Sequence, residues 1–93
     1  MVTREIYDEF FSTDSIKRKA ELRELIHDAI DEVMCSKFGD KLLYWCFEAA
    51  GEGEVGDLEK CVTDKGLYIE YNLGQTRGTR KYMTFLYTDF IKD

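Results

Sequence analysis

The sequence predicts a single α+β domain in which N-terminal helices pack on one side of a C-terminal three-stranded antiparallel sheet. Through the first part of the chain, apolar residues recur at three- and four-residue steps, as they do on a helix. From about residue 58 they alternate, as they do in strands. With 93 residues, 44% of them hydrophobic, the chain can bury one small core. We therefore expect one domain over residues 1–93, with a short, a long and a short helix followed by three strands.

Two helices are expected first. Thr3 can cap a short helix that ends near residue 11, with Val2 and Tyr7 placed to close a hydrophobic staple. A long helix is predicted over Ile16–Phe38, and Gly39 follows it as a stop signal. Its apolar face consists of Leu22, Leu25, Ile26, Ala29, Ile30, Val33 and Met34.

The third predicted helix is the segment KLLYWCFEAA, residues 41–50, with Asp40 as its cap. The run from residue 42 to residue 47 is apolar on all sides, as in a buried helix, and residues 48–51 resemble a last helical turn. A buried strand is the alternative, because tyrosine, tryptophan and phenylalanine are common in sheets.

Three strands are predicted after residue 57, over residues 58–63, 67–73 and 80–88. Turns at residues 64–66 and 74–78 contain glycine and can close hairpins between them. On the middle strand, one face carries Leu67, Ile69, Tyr71 and Leu73.

The overall charge disfavours binding to phosphates. Nineteen acidic residues face thirteen Lys and Arg, which gives a net charge of −6. Arg77, Arg80 and Lys81 form a small basic group, but turn chemistry and protection of a sheet edge explain them, so nucleic-acid binding is not expected. The sequence has no apolar run long enough for a membrane span and no signal peptide, and we expect a cytoplasmic protein.

Residues 51–56 spell Gly-x-Gly-x-x-Gly, the spacing of a dinucleotide-binding turn. That turn requires a strand before it and a helix after it, whereas here a predicted helix precedes it and a strand follows. Glu52, Glu54 and Asp57 would also repel phosphates. We therefore interpret the segment as a helix end and a connecting loop, with no nucleotide cofactor.

No grouping of residues indicates catalysis or a metal site. His27 is the only histidine, and Cys35 lies eight residues further along the same helix, about 12 Å by helical rise. Cys46 and Cys61 form no Cys-x-x-Cys pair, so we expect reduced thiols in or near the core. Glu24 and His27 resemble half of a di-iron motif, but a second histidine is lacking. We expect no enzyme and no cofactor.

Carboxylates form a row along the long helix at the spacing of neighbouring turns. Such a row is either a solvated face or a negative surface for a basic partner protein, and we predict the second. The predicted partner-binding residues are Glu21, Glu24, Asp28, Asp31, Glu32, Glu52 and Glu54.

Aromatic residues are abundant for so small a core, at 14% of the chain. An excess of apolar surface favours contact with another chain, and a symmetric homodimer is the simplest case. The predicted dimer contacts are Phe10, Phe11, Tyr44 and Trp45.

The carboxylates of Glu21, Glu24, Asp28 and Asp31, with Glu52 and Glu54, belong to a chain that lacks proline and is rich in tyrosine and phenylalanine. In this profile the chain resembles small phage-encoded inhibitors that bind host defence or transcription proteins, including anti-restriction and anti-CRISPR proteins that mimic DNA. The resemblance implies a non-enzymatic inhibitor whose carboxylates stand in for phosphates.

Overall fold

The computed structural model describes residues 1–49, 57–74 and 80–93 and has an α+β fold, as predicted. The helices are α1 (Arg4–Ser12), α2 (Ile16–Phe38) and α3 (Tyr87–Phe90), and the strands are β1 (Val2–Thr3), β2 (Leu42–Phe47), β3 (Gly66–Leu73), β4 (Lys81–Leu86) and β5 (Ile91–Lys92). Short 3₁₀ turns occupy Gly39–Lys41 and Leu58–Lys60.

The two predicted N-terminal helices are confirmed, and local signals bound both of them. The Thr3 hydroxyl accepts a hydrogen bond from the Ile6 N–H at 3.2 Å, and the Ser15 hydroxyl accepts one from the Arg18 N–H at 3.1 Å. Gly39 ends α2 with a φ of +57°, a conformation that favours glycine.

The main sheet is antiparallel, with strand order β2-β3-β4. Ile69 at its centre lies between Phe47 on β2 and Met83 on β4. Separately, β1 pairs with β5 in parallel and joins the start of the described chain to its end. Gly66, the first residue of β3, lies opposite Leu86 at the end of β4.

One hydrophobic core joins the helices to one face of this sheet. From α2 it takes a fully buried stripe, and from the sheet it takes the inward residues of all three strands. Its most deeply buried members are Phe10, Leu22, Ile26, Ile30, Met34, Leu58, Cys61, Leu67, Ile69, Phe85 and Phe90. The core-facing side of the sheet is called the inner face below, and the opposite side the outer face.

Two of the predicted elements are wrong. The third helix does not form, because Leu42–Phe47 is strand β2, which pairs with β3 apart from an irregularity between Leu42 and Tyr44. The predicted strand over residues 58–63 does not form either: Leu58–Lys60 is a 3₁₀ turn, and Val62 makes a single isolated bridge with Leu67. Strand β2 pairs with β3 over residues 69–73, so the segment around Val62 contacts only the first residues of β3.

Candidate functional site

Helix α2 presents a row of carboxylates on the side opposite its buried stripe. We call Glu21, Glu24, Asp28 and Glu32 the acidic helix face, and all four are exposed. At 100° per residue they point away from Leu22, Ile26 and Ile30, which lie in the core. From residue 24 to residue 36, α2 contains no Lys or Arg.

At the start of this row, Arg18 neutralises a different carboxylate. Its Nε and Nη2 donate to the two oxygens of Glu9 at 2.6 and 3.0 Å, a bidentate pair. The hydrogen bond from Arg18 lowers the pKa of the Glu9 carboxyl. Glu21 receives only a longer contact of 3.4 Å from Nη1 of Arg18. Glu21 is therefore only weakly compensated.

Two other cations in the first half of α2, Lys19 and Arg23, point elsewhere. Lys19 and Arg23 both lie 3.4 Å from Glu59, and both sit over the ring of Phe10. Within the part of the chain that the structure describes, Glu24, Asp28 and Glu32 form no ion pair with Lys or Arg. The acidic helix face thus keeps its negative charge.

Asp31 has a role that the sequence did not reveal. Its Oδ1 accepts a hydrogen bond from the indole Nε1–H of Trp45 at 2.7 Å, which joins α2 to β2. His27 stacks on the same indole, with ring centroids 4.4 Å apart. His27 also lies 3.9 Å from Asp28 through Nδ1. Asp31 therefore borders the acidic helix face and holds the sheet against the helix.

The predicted dimer contacts divide into buried and exposed residues. Phe10 is fully buried under Lys19 and Arg23, and Trp45 is buried against Asp31 and His27. The expectation that these two rings contact a second copy is therefore wrong, because the chain's own fold covers them. Phe11 and Tyr44 are exposed.

The three thiols are free. Cys35 is exposed, with its Sγ 3.9 Å from Asp31, and Cys46 is half-buried on β2. Burial raises the pKa of the Cys61 thiol to about 12. Over residues 1–49, 57–74 and 80–93, no cluster of three or more His, Cys, Asp or Glu side chains is arranged to hold a metal ion.

Polar groups are also buried on the outer face of the sheet. Glu48, Glu70 and Asn72 are the buried polar side chains of the described residues. Alternation along β3 had already placed Glu70 and Asn72 on the face opposite Ile69, but it did not indicate their burial. Glu48 was missed because it was assigned to the last turn of a helix.

Glu52, Glu54 and Arg77 lie outside the residues that the structure describes. No described helix is both long enough and apolar enough to cross a membrane. Comparison of the chain with protein-family models, with curated proteins and with solved structures finds no match.

Proposed function

We propose that this protein is a non-enzymatic binding protein, an inhibitor or adaptor, that presents its acidic helix face to a basic surface of another protein. The observation that carries the proposal is the row of four exposed carboxylates on α2, of which, among the described residues, only Glu21 forms an ion pair with a Lys or Arg, namely Arg18. Uncompensated charge of one sign steers a partner of the opposite sign and sets its orientation.

The spacing of the row favours a partner that ordinarily binds nucleic acid. From Glu21 to Glu32 the row spans about 16 Å, since an α-helix rises ~1.5 Å per residue. One strand of B-DNA carries a phosphate charge about every 3.4 Å of axis, or about five charges over that length. Four carboxylates over the same length approach this density, so the face can stand in for one DNA strand.

The rigidity of helix α2 also supports the proposal, because a preorganised surface loses little conformational entropy on binding. Helix α2 is capped at both ends, buried along one side and joined to β2 through Asp31 and Trp45.

A cavity of about 230 Å³ opens beside Glu32, lined also by Met1, Val33 and Ser36. This cavity could receive an apolar side chain next to the charged row.

Affinity capture from a lysate, with a neutralised face, tests the proposal. The neutral-face variant carries Glu21→Gln, Glu24→Gln, Asp28→Asn and Glu32→Gln. Each of the four charges is expected to contribute a few tenths of a kcal/mol to the binding free energy. Removing all four should therefore reduce the amount of captured partner about tenfold or more. Nuclease treatment of the lysate should leave wild-type capture intact, since the partner is a protein.

The matched control removes four charges elsewhere, through Glu5→Gln, Asp8→Asn, Asp64→Asn and Asp89→Asn, all at exposed positions. It should capture the same partner as the wild type. If both variants lose the partner equally, net charge is responsible and the acidic helix face is not the binding surface.

A homodimer is a second candidate, favoured by the edge of the sheet. Strand β2 is an outer strand in the order β2-β3-β4, so one side of its backbone is open to pairing. Leu43 on this strand is 66% exposed, and Tyr44 beside it is also exposed. Such an edge can pair with a second copy across a two-fold axis.

Free thiols fit the reducing cytoplasm, where we place the protein.

Light scattering at high micromolar concentration distinguishes this candidate. We expect the mass of a dimer for the wild type and of a monomer for Leu43→Lys, because a lysine on an edge strand opposes pairing. A wild-type protein that stays monomeric would rule out the homodimer and leave the acidic helix face unaffected.

A further inference from the structure

The outer face of the sheet carries its polar residues in rows. Tyr44 on β2 pairs with Asn72 on β3, and Cys46 pairs with Glu70. One row further, the Glu48 N–H donates to the Tyr68 carbonyl at 3.1 Å. Since side chains alternate along a strand, the side chains of these residues share the face opposite the hydrophobic core.

Glu70 is partly compensated within this face. Its Oε2 accepts a hydrogen bond from the Tyr44 hydroxyl at 2.9 Å and lies 3.9 Å from the Cys46 Sγ. Its Oε1 lies 3.9 Å from Nε of Arg80, whose side chain is 65% exposed. One oxygen of Glu70 thus accepts a hydrogen bond, and the other has only a long contact with a cation.

Glu48 has no such compensation. Only 1% of the residue is exposed, yet among the described residues neither of its carboxylate oxygens has a hydrogen-bond partner, and Asn72 Oδ1 also lacks one there. An unpaired buried carboxylate is costly, and native structures nearly always satisfy such groups. The missing partner must supply hydrogen-bond donors, because a carboxylate and an amide oxygen are both acceptors.

Cys46 lies in the same row as Glu70, one row from Glu48, and its thiol is not a cation that could pair with either carboxylate. Burial, and then the charges of Glu70 and Glu48, raise the pKa of the Cys46 thiol. The thiol therefore stays protonated near neutral pH and is a poor metal ligand.

The geometry excludes a single metal ion that binds both the Glu48 carboxylate and the Asn72 Oδ1. The rows of Asn72 and Glu48 are four residues apart, about 13 Å along the strand. Calcium–oxygen bonds are about 2.3–2.6 Å, so one ion cannot reach both rows. Two free oxygens on one carboxylate match instead the paired N–H groups of a guanidinium, which binds carboxylates bidentately.

Aromatic rings lie in the same part of the face. Tyr68 shares its row with Glu48, and its ring stacks on that of Tyr82 on β4 at 5.7 Å, with 3° between the planes. Guanidinium groups stack favourably on tyrosine rings. The acceptor pair and the stacking surface are therefore adjacent.

We propose that the Glu48 carboxylate, beside Tyr68 and Tyr82, binds a guanidinium group from outside the chain. The group is either a free small guanidinium compound or an arginine side chain of a peptide. Because Glu48 is almost fully buried, the ligand can reach it only when the fold opens locally, and we expect association slower than diffusion. The site lies on the opposite side of the sheet from α2, so it is independent of the acidic helix face.

A titration followed by ¹H–¹⁵N NMR tests the site, with methylguanidinium as the probe and neutral methylurea as its control. We expect saturable shifts of the amides of residues 46–48 and 68–70 with methylguanidinium and none with methylurea. Glu48→Gln should weaken binding at least tenfold, whereas Asp8→Asn at an exposed position on α1 should leave it unchanged. Equal shifts with methylurea on the wild type would overturn the proposal, whether or not the variant folds. Undiminished binding by Glu48→Gln would also overturn it.

A second arm identifies the source of the guanidinium. The blocked peptide acetyl-Gly-Arg-Gly-amide is compared with its citrulline counterpart, which has the same shape without the charge. Tighter binding of the arginine peptide than of methylguanidinium supports an arginine side chain, and the reverse order supports a small compound. Equal binding of the arginine and citrulline peptides contradicts the proposal.

Discussion

Replacing Gly66 with alanine is expected to destabilise the fold by about 3 kcal/mol. A Cβ at this position would lie 2.0 Å from the carbonyl oxygen of Phe85 and 2.9 Å from the Cα of Leu86. These atoms belong to the backbone of the neighbouring strand, so no side-chain rotation can relieve the clash. The strands β3 and β4 must separate locally, and the pairing that positions the core residue Phe85 weakens.

Urea denaturation of the two glycine variants measures the effect. Gly74→Ala is the control, because its Cβ would have only an ordinary contact, 3.9 Å from the Lys41 carbonyl. We expect a lower midpoint for Gly66→Ala alone. Equal midpoints for the two variants would show that β3 and β4 do not approach as closely as described.

Replacing Glu48 with leucine is expected to stabilise the protein by about 1–3 kcal/mol, the cost of an unsatisfied buried polar group. Most substitutions of buried residues destabilise, so the sign of this effect is diagnostic. A residue that lowers stability while serving a ligand is typical of a binding site. The measurement is again urea denaturation, since guanidinium salts contain the proposed ligand.

Glu32→Leu on the acidic helix face is the control for this second substitution, and its effect should stay within about 0.5 kcal/mol. A loss of stability in Glu48→Leu would mean that the carboxylate has partners in the folded protein. Glu48 would then have no free oxygens to offer a guanidinium group.

Helices α1 and α2 were predictable because their signals are local. The Thr3 and Ser15 caps and the positive φ of Gly39 depend on residues within one turn. Strand β2 was not predictable, because Leu42–Phe47 is apolar at every position and shows neither helical nor strand period. Its conformation is decided by pairing with residues of β3 that lie 22 or more positions further along the chain.

The acidic helix face could be predicted because helix geometry alone fixes the spacing of Glu21, Glu24, Asp28 and Glu32. The hydrogen bond from Trp45 to Asp31 could not, since it requires β2 to lie against α2. The burial of Glu48 depends in the same way on tertiary structure. Sequence patterns thus identified the exposed charges and missed the polar groups that the fold encloses.

The most direct test of the central claim is the dissociation constant of the captured partner for the wild type and for the neutral-face variant, measured side by side at low and raised salt. We predict that neutralisation weakens binding about tenfold or more at low salt, and that raised salt weakens the wild type more than the variant. Equal dissociation constants at both salt concentrations would contradict the claim that this protein binds its partner through the acidic face of α2.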